Sequence, residues 1–131
     1  MKILNNGATV LTVSFCLLLC GTSASAHHSF SAFNMQIEKS IEGIVRQVDW
    51  TNPHIWIWLD VTNEDGELET WGMEGMSPNY LARRGWTKDT LKVGDEITAI
   101  IRPLVDGSNG GMFIRTTLAD GTNLTMGGAS N

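Results

Sequence analysis

The sequence predicts a mainly β fold built from five short strands, with one short helix between the third and the fourth. Apolar and polar residues alternate in several runs, and clusters of Gly, Pro, Asn and Asp separate these runs. One further segment carries helix-capping residues at both ends. This order of elements is that of a small OB-like five-stranded barrel, and a small β-sandwich is the alternative interpretation.

The first two strands are separated by the breaker Thr51-Asn52-Pro53. Residues 41–50 form the first strand, and Gly43 within it predicts a bulge or a sharp bend. The second strand has the clearest alternation in the chain. One of its faces carries Ile55, Ile57, Leu59 and Val61, and the other carries His54, Trp56, Trp58 and Asp60. We therefore expect a strand with two chemically distinct faces.

Three further strands follow in the predicted order. A hairpin turn at residues 63–66 leads into the third strand at residues 68–74. The fourth alternates through Ile97, Ala99 and Ile101 and ends at Pro103. A flexible loop precedes the fifth strand at residues 112–118, and a short final segment surrounds Leu124.

The helix is predicted as two turns over residues 77–85, because both of its ends are marked. Ser77 suits the N-cap, Pro78 the first helical position, and Gly85 the position just beyond the last turn. Trp86 follows at the position where a hydrophobic residue packs back onto the helix. We therefore interpret Trp86 as a structural residue that contacts Leu81.

Residues 1–26 are predicted to be a cleaved Sec signal peptide. Lys2 supplies the positive charge near its start, an apolar stretch covers residues 8–19, and Ala24-Ser25-Ala26 forms a small-residue cleavage site. The apolar stretch is shorter than the roughly 20 residues that span a bilayer, so we expect no membrane segment after cleavage. The mature chain then consists of an N-terminal segment at 27–38, one β domain at 39–126 and a flexible tail at 127–131. Its expected location is the periplasm.

Charge and cysteine content narrow the classes of function. The 131-residue chain has a formal net charge of −5, and removal of Lys2 with the signal leaves 8 basic and 14 acidic residues, or −6. An acidic balance argues against a nucleic-acid partner. Cys16 and Cys20 leave with the signal, so the mature chain has no disulfide. No sequence motif of a nucleophile or phosphate loop is present, and we expect a protein that is not an enzyme.

A metal site is the first functional hypothesis. The mature chain would begin with His27 and His28, and an α-amine beside imidazoles offers nitrogen donors that suit Cu(II) or another divalent metal. His54 is the remaining histidine and could complete the site if it lies near the new N-terminus. The alternative is that the first two histidines belong to a mobile tail and that His54 makes a hydrogen bond in a turn.

A tryptophan-rich face is the second functional hypothesis. Trp50, Trp56 and Trp58, together with Asn52 and Glu74, are predicted to receive a small molecule, a glycan or a periplasmic partner protein on the sheet surface. The alternative is that residues 30–37 or the helix cover these indoles, because exposed tryptophans promote aggregation. Glu74 at a strand end could also be an ordinary solvated carboxylate.

Several motifs resemble those of a family of small exported bacterial proteins of unknown function. They include the His-His-Ser-Phe start at residues 27–30, the string Trp50-Thr51-Asn52-Pro53-His54, and Arg84-Gly85-Trp86. Asn34 departs from the family pattern, in which an Asp is expected. The resemblance implies a periplasmic location and a single β domain, and it implies no activity.

Overall fold

The computed structural model describes residues 30–126, and the predictions for residues 1–29 and 127–131 lie outside this part of the chain. The described residues form six strands, one α-helix and a short 3-10 turn. In chain order these are the turn Phe30–Ala32, β1 (Lys39–Asp49), β2 (Trp56–Thr62), β3 (Leu68–Glu74), α1 (Pro78–Ala82), β4 (Glu96–Pro103), β5 (Gly110–Leu118) and β6 (Asn123–Thr125).

Five of these strands close into a barrel. Their order is β3-β2-β1-β4-β5 with antiparallel neighbours, and a parallel pairing of β3 with β5 joins the two ends. The closing contact pairs Gly72 with Gly110 and Glu74 with Met112. The predicted OB-like barrel is therefore confirmed, because a β-sandwich would keep two separate sheets. The short β6 extends the edge of β5 at residues 115–117.

The core lies inside the barrel, and one face of each of the five barrel strands contributes to it. Ile55, Ile57 and Leu59 of the predicted apolar face are at most 1% exposed, and Val61 packs against them partly buried. The other buried apolar residues are Ile41, Val45, Trp71, Met73, Leu81, Trp86, Leu91, Ile97, Ala99, Ile101, Phe113 and Met126. Burial of this apolar surface is the main favourable contribution to the stability of the barrel.

The helix α1 begins as the sequence predicts and ends earlier. Ser77 is the N-cap, its Oγ accepts a hydrogen bond of 3.3 Å from the backbone N–H of Tyr80, and Pro78 is the first helical residue. The helix ends at Ala82, and a turn follows in which Gly85 has a φ of 84°. Within residues 30–126 no helix is long and apolar enough to cross a membrane.

Trp86 anchors this turn to the core. Its backbone N–H donates to the carbonyl of Leu81 at 3.1 Å, and its ring meets Phe113 edge-on with centroids 6.3 Å apart. Its indole Nε1 donates to the carbonyl of Thr125. The side chain is 5% exposed. The predicted structural role of Trp86 is confirmed.

Strand β1 carries its bulge at Arg46, and the prediction of a bulge at Gly43 is wrong. The register between β1 and β2 shifts between Val45 and Gln47. Gly43 instead serves a close approach of two backbones, since a Cβ there would lie 2.6 Å from the carbonyl oxygen of Asp60. The glycine allows β1 to cross close to β2 without a steric clash.

The segment before β1 runs beside the end of β4. Phe33 forms an isolated antiparallel bridge with Leu104, and the guanidinium of Arg102 donates to the backbone carbonyl of Met35. These contacts attach residues 33–35 to the barrel. The sequence offered the tryptophans as a surface that residues 30–37 could cover. The contacts that the structure gives residues 33–35 lie along the end of β4 instead.

Glu38 links the same segment to two strands. Its carboxylate accepts a hydrogen bond of 2.8 Å from Arg115 on β5 and lies 3.9 Å from Arg102 on β4. The hydrogen bond from Arg115 lowers the pKa of Glu38 below its usual range, against the smaller opposing effect of burial. Charge pairing thus contributes to holding the segment on the barrel.

Candidate functional site

Two tryptophans share the outer face of β2. The rings of Trp56 and Trp58 stack with centroids 5.7 Å apart and planes inclined by 19°, and both residues are partly exposed. Trp58 lies close above Gly72 of β3, where a Cβ would come within 2.6 Å of the indole. The glycine leaves the space that the indole occupies.

The bulge at Arg46 decides which β1 side chains join this face. After the bulge, Asp49 pairs in register with Trp56. Trp50 packs partly buried against the core cluster. The prediction that Trp50 shares a face with Trp56 and Trp58 is therefore wrong, because one extra residue in the strand shifts the two-residue alternation.

Polar groups of β1 take the place predicted for Trp50. The indole Nε1 of Trp58 donates to one carboxylate oxygen of Asp49 at 3.1 Å, and the side-chain amide of Gln47 donates to the other oxygen at 2.6 Å. Sequence reasoning missed Asp49 and Gln47, since no glycine or proline marks the bulge at Arg46 that brings them here.

A groove of about 350 Å³ opens beside Trp58. Its other lining residues are Arg46, Gln47, Asp49 and Thr70. The guanidinium of Arg46 lies 3.3 Å from the carboxylate of Asp60 and 3.3 Å from the hydroxyl of Thr70. The groove therefore combines an aromatic wall with a guanidinium, a carboxylate, an amide and a hydroxyl.

His54 and Glu74 meet where β2 begins and β3 ends. The Nδ1 of His54 is hydrogen-bonded to the carboxylate of Glu74. Glu74 is 7% exposed, and the His54 side chain is 33% exposed. Glu74 also pairs in register with Trp56, which puts the pair next to the tryptophans. A carboxylate bound to one ring nitrogen of a histidine is the usual arrangement behind metal-binding histidines.

The remaining predicted site residues are placed as follows. Asn52 is exposed in the loop between β1 and β2, where the peptide bond to Pro53 is cis. His27 and His28 lie outside the described residues. Among residues 30–126 no group of three or more His, Cys, Asp and Glu side chains is arranged to hold a metal ion. A metal site that includes His54 would thus need donors from elsewhere.

These features define a small closed β-barrel that carries a carboxylate-bonded histidine and a stacked tryptophan pair on neighbouring parts of its surface. The chain belongs to DUF6152, a family of unknown function whose model matches residues 15–115. Comparison with curated proteins and with solved structures gave no match. The family membership supplies no activity, and a fold alone does not define one.

Proposed function

We propose that this protein is a small exported periplasmic binding protein that holds copper, or another divalent metal, without catalysing a reaction. The observation that carries the proposal is the hydrogen bond between His54 Nδ1 and the buried carboxylate of Glu74. This bond orients the ring and, in the neutral imidazole, leaves the lone pair on Nε2, the atom that would bind the metal.

The mature N-terminus would supply the other donors. Ala32 lies beside the loop after β4, because its carbonyl accepts a hydrogen bond of 3.0 Å from Val105. Only β5 separates β4 from β3, and two strand spacings amount to about 10 Å. Residues 27–29 can span about 10 Å when extended. These distances allow the amine and the imidazoles of His27 and His28 to approach His54.

The donor set favours Cu(II). An α-amine and two or three imidazoles offer nitrogen ligands in the number that a tetragonal copper site takes, and Cu(II) binds such donors most tightly among the divalent first-row metals. The carboxylate of Glu74 behind His54 holds the ring in one orientation. The proposed role is chelation or delivery of the ion.

Calorimetric titration of Cu(II) into the exported protein tests the proposal. We expect at least tenfold tighter binding than to a His-His-Ser-Phe peptide, together with quenching of tryptophan fluorescence because Trp56 neighbours Glu74. His54→Gln, or one alanine added before His27, should lower the affinity to that of the peptide. Thr51→Ala, an exposed change in the same loop, is the control. Wild-type affinity no greater than that of the peptide would refute the proposal.

A second candidate function is an interaction module on the outer face of β2. The specific support is the partly exposed stack of Trp56 on Trp58. Two adjacent, partly exposed indoles promote aggregation. A ligand or partner protein that covers them would prevent it. The predicted ligand classes are a small molecule, a glycan or a partner protein.

A further inference from the structure

We propose that the groove beside Trp58 binds one ring of a neutral saccharide. The proposal rests on the second candidate function and names its ligand class, and it does not depend on metal binding at His54. It is carried by three observations, which are the aromatic wall, the polar side chains at its edge and the balance of charge around it.

The aromatic wall matches the flat face of a pyranose ring. Trp58 lines the groove, and Trp56 stacks on it with 19° between the ring planes, so the indole that a sugar would contact is backed by a second ring. The C–H groups on one face of a sugar pack against such a π-surface, whose electron-rich face attracts them. Gly72 supports this geometry, since any larger residue would displace the Trp58 ring.

The polar edge matches the hydroxyls of a sugar. Asp49 already accepts a bond from Trp58 Nε1 and one from Gln47, so its carboxylate is held in a fixed position at the rim of the indole. The Gln47 amide and the Thr70 hydroxyl offer both donors and acceptors, as a sugar hydroxyl requires. Recognition by a few oriented polar groups beside an apolar surface is the usual composition of a small-ligand site.

The charge around the groove selects for a neutral ligand. The carboxylates of Asp49 and Asp60 outnumber the one guanidinium, that of Arg46, which already pairs with Asp60 at 3.3 Å. A uronic acid or a phosphorylated sugar would therefore meet net repulsion. The volume of about 350 Å³ lies at the small end of the range for ligand sites, which suits one ring with its neighbours extending along the surface.

The test is a titration of the full exported protein, with EDTA present, against cellotetraose, maltotetraose and chitotetraose as neutral probes and tetragalacturonate as the acidic probe. Binding is followed by tryptophan fluorescence and by the NMR shift of the Trp58 indole N–H. We expect at least one neutral probe to bind and to move that signal. Tetragalacturonate should bind at least tenfold more weakly.

Two variants connect the binding to the groove. Trp58→Phe and Asp49→Asn should each weaken binding at least tenfold, while Asp106→Asn in the β4–β5 loop should leave it unchanged. Circular dichroism checks that each variant folds. Absence of binding by every neutral probe, or binding that survives both groove variants, would overturn the proposal.

The outcomes separate this proposal from the function on which it rests. Capture of a periplasmic protein that requires Trp58, with no saccharide binding, would overturn the ligand class and leave the interaction module standing. If the protein neither binds a saccharide nor captures a protein through Trp58, the interaction module is refuted as well. Copper binding at His54 would be unaffected by either result, because the titration excludes free metal ions.

Discussion

His54 and Glu74 are 20 residues apart in the chain, and their side chains join by a hydrogen bond between Nδ1 and the carboxylate. The bond ties the loop between β1 and β2 to the last residue of β3. Because Glu74 is buried, its carboxylate depends on hydrogen-bond partners within the protein, and His54 supplies one of them. Removal of either partner should therefore destabilise the fold. While both are present, the hydrogen bond fixes the orientation of the His54 ring.

Replacement of Gly43 by alanine should destabilise the barrel. The added Cβ would lie 2.6 Å from the carbonyl oxygen of Asp60, so β1 and β2 would have to move apart. Overpacking of this kind costs about 1–3 kcal/mol. Urea unfolding of Gly43→Ala measures the loss. Ser40→Ala, an exposed change on the same strand, should cost less than about 0.5 kcal/mol, and an equal loss in both variants would contradict the steric account.

Trp86→Ala should cost more than the loss of a surface tryptophan. Trp86 fills the core against Phe113 and donates its indole N–H to Thr125. A large-to-small change at such a site costs about 3–5 kcal/mol. Thermal unfolding of Trp86→Ala and of Trp56→Ala compares a buried ring with a partly exposed one. A larger loss of stability for Trp56→Ala than for Trp86→Ala would contradict this prediction, because it would mean that the stacked tryptophans stabilise the fold more than the buried ring does.

The stability of the fold should decrease in acid partly through Glu38. Its pKa is lowered in the folded protein, chiefly by the hydrogen bond from Arg115. A folded-state pKa below the unfolded value stabilises the fold at pH values above the unfolded pKa, and this contribution is lost as the pH falls through the folded pKa. The free energy of unfolding of Glu38→Gln should thus depend less steeply on pH in the acidic range than that of the wild type.

A matched change tests whether this effect belongs to Glu38. Glu64→Gln alters an exposed glutamate in the turn between β2 and β3. It should retain the slope of the wild type. Identical slopes for wild type and Glu38→Gln would show that the contacts with Arg115 and Arg102 contribute nothing to the acid response.

The sequence predicted the barrel well because its strands follow simple alternation. The apolar face of β2, the N-cap at Ser77 and the role of Trp86 each depend on contacts within a few residues or on burial of an obvious apolar side chain. The helix ended earlier than predicted. Gly85 marks the end of a turn that is no longer helical, and a glycine alone does not tell these cases apart.

The candidate site was predicted less well than the fold, and the main reason is the bulge at Arg46. A bulge at this residue moves Trp50 to the core and brings Asp49 to the tryptophans, and no residue type marks it. The link from His54 to Glu74 was also missed. It depends on β3 returning beside the loop before β2, which is a tertiary contact that spacing along the chain does not encode.

The central claim is that Glu74 holds His54 ready for a metal ion, and Glu74→Gln tests it most directly because the change removes the charge and keeps the shape. Calorimetry of Cu(II) binding to the exported wild type and to this variant should give an affinity about 10–100-fold weaker for the variant. Glu67→Gln, at an exposed position before β3, serves as the control. Equal copper affinities for wild type and Glu74→Gln, with both folded, would contradict the account.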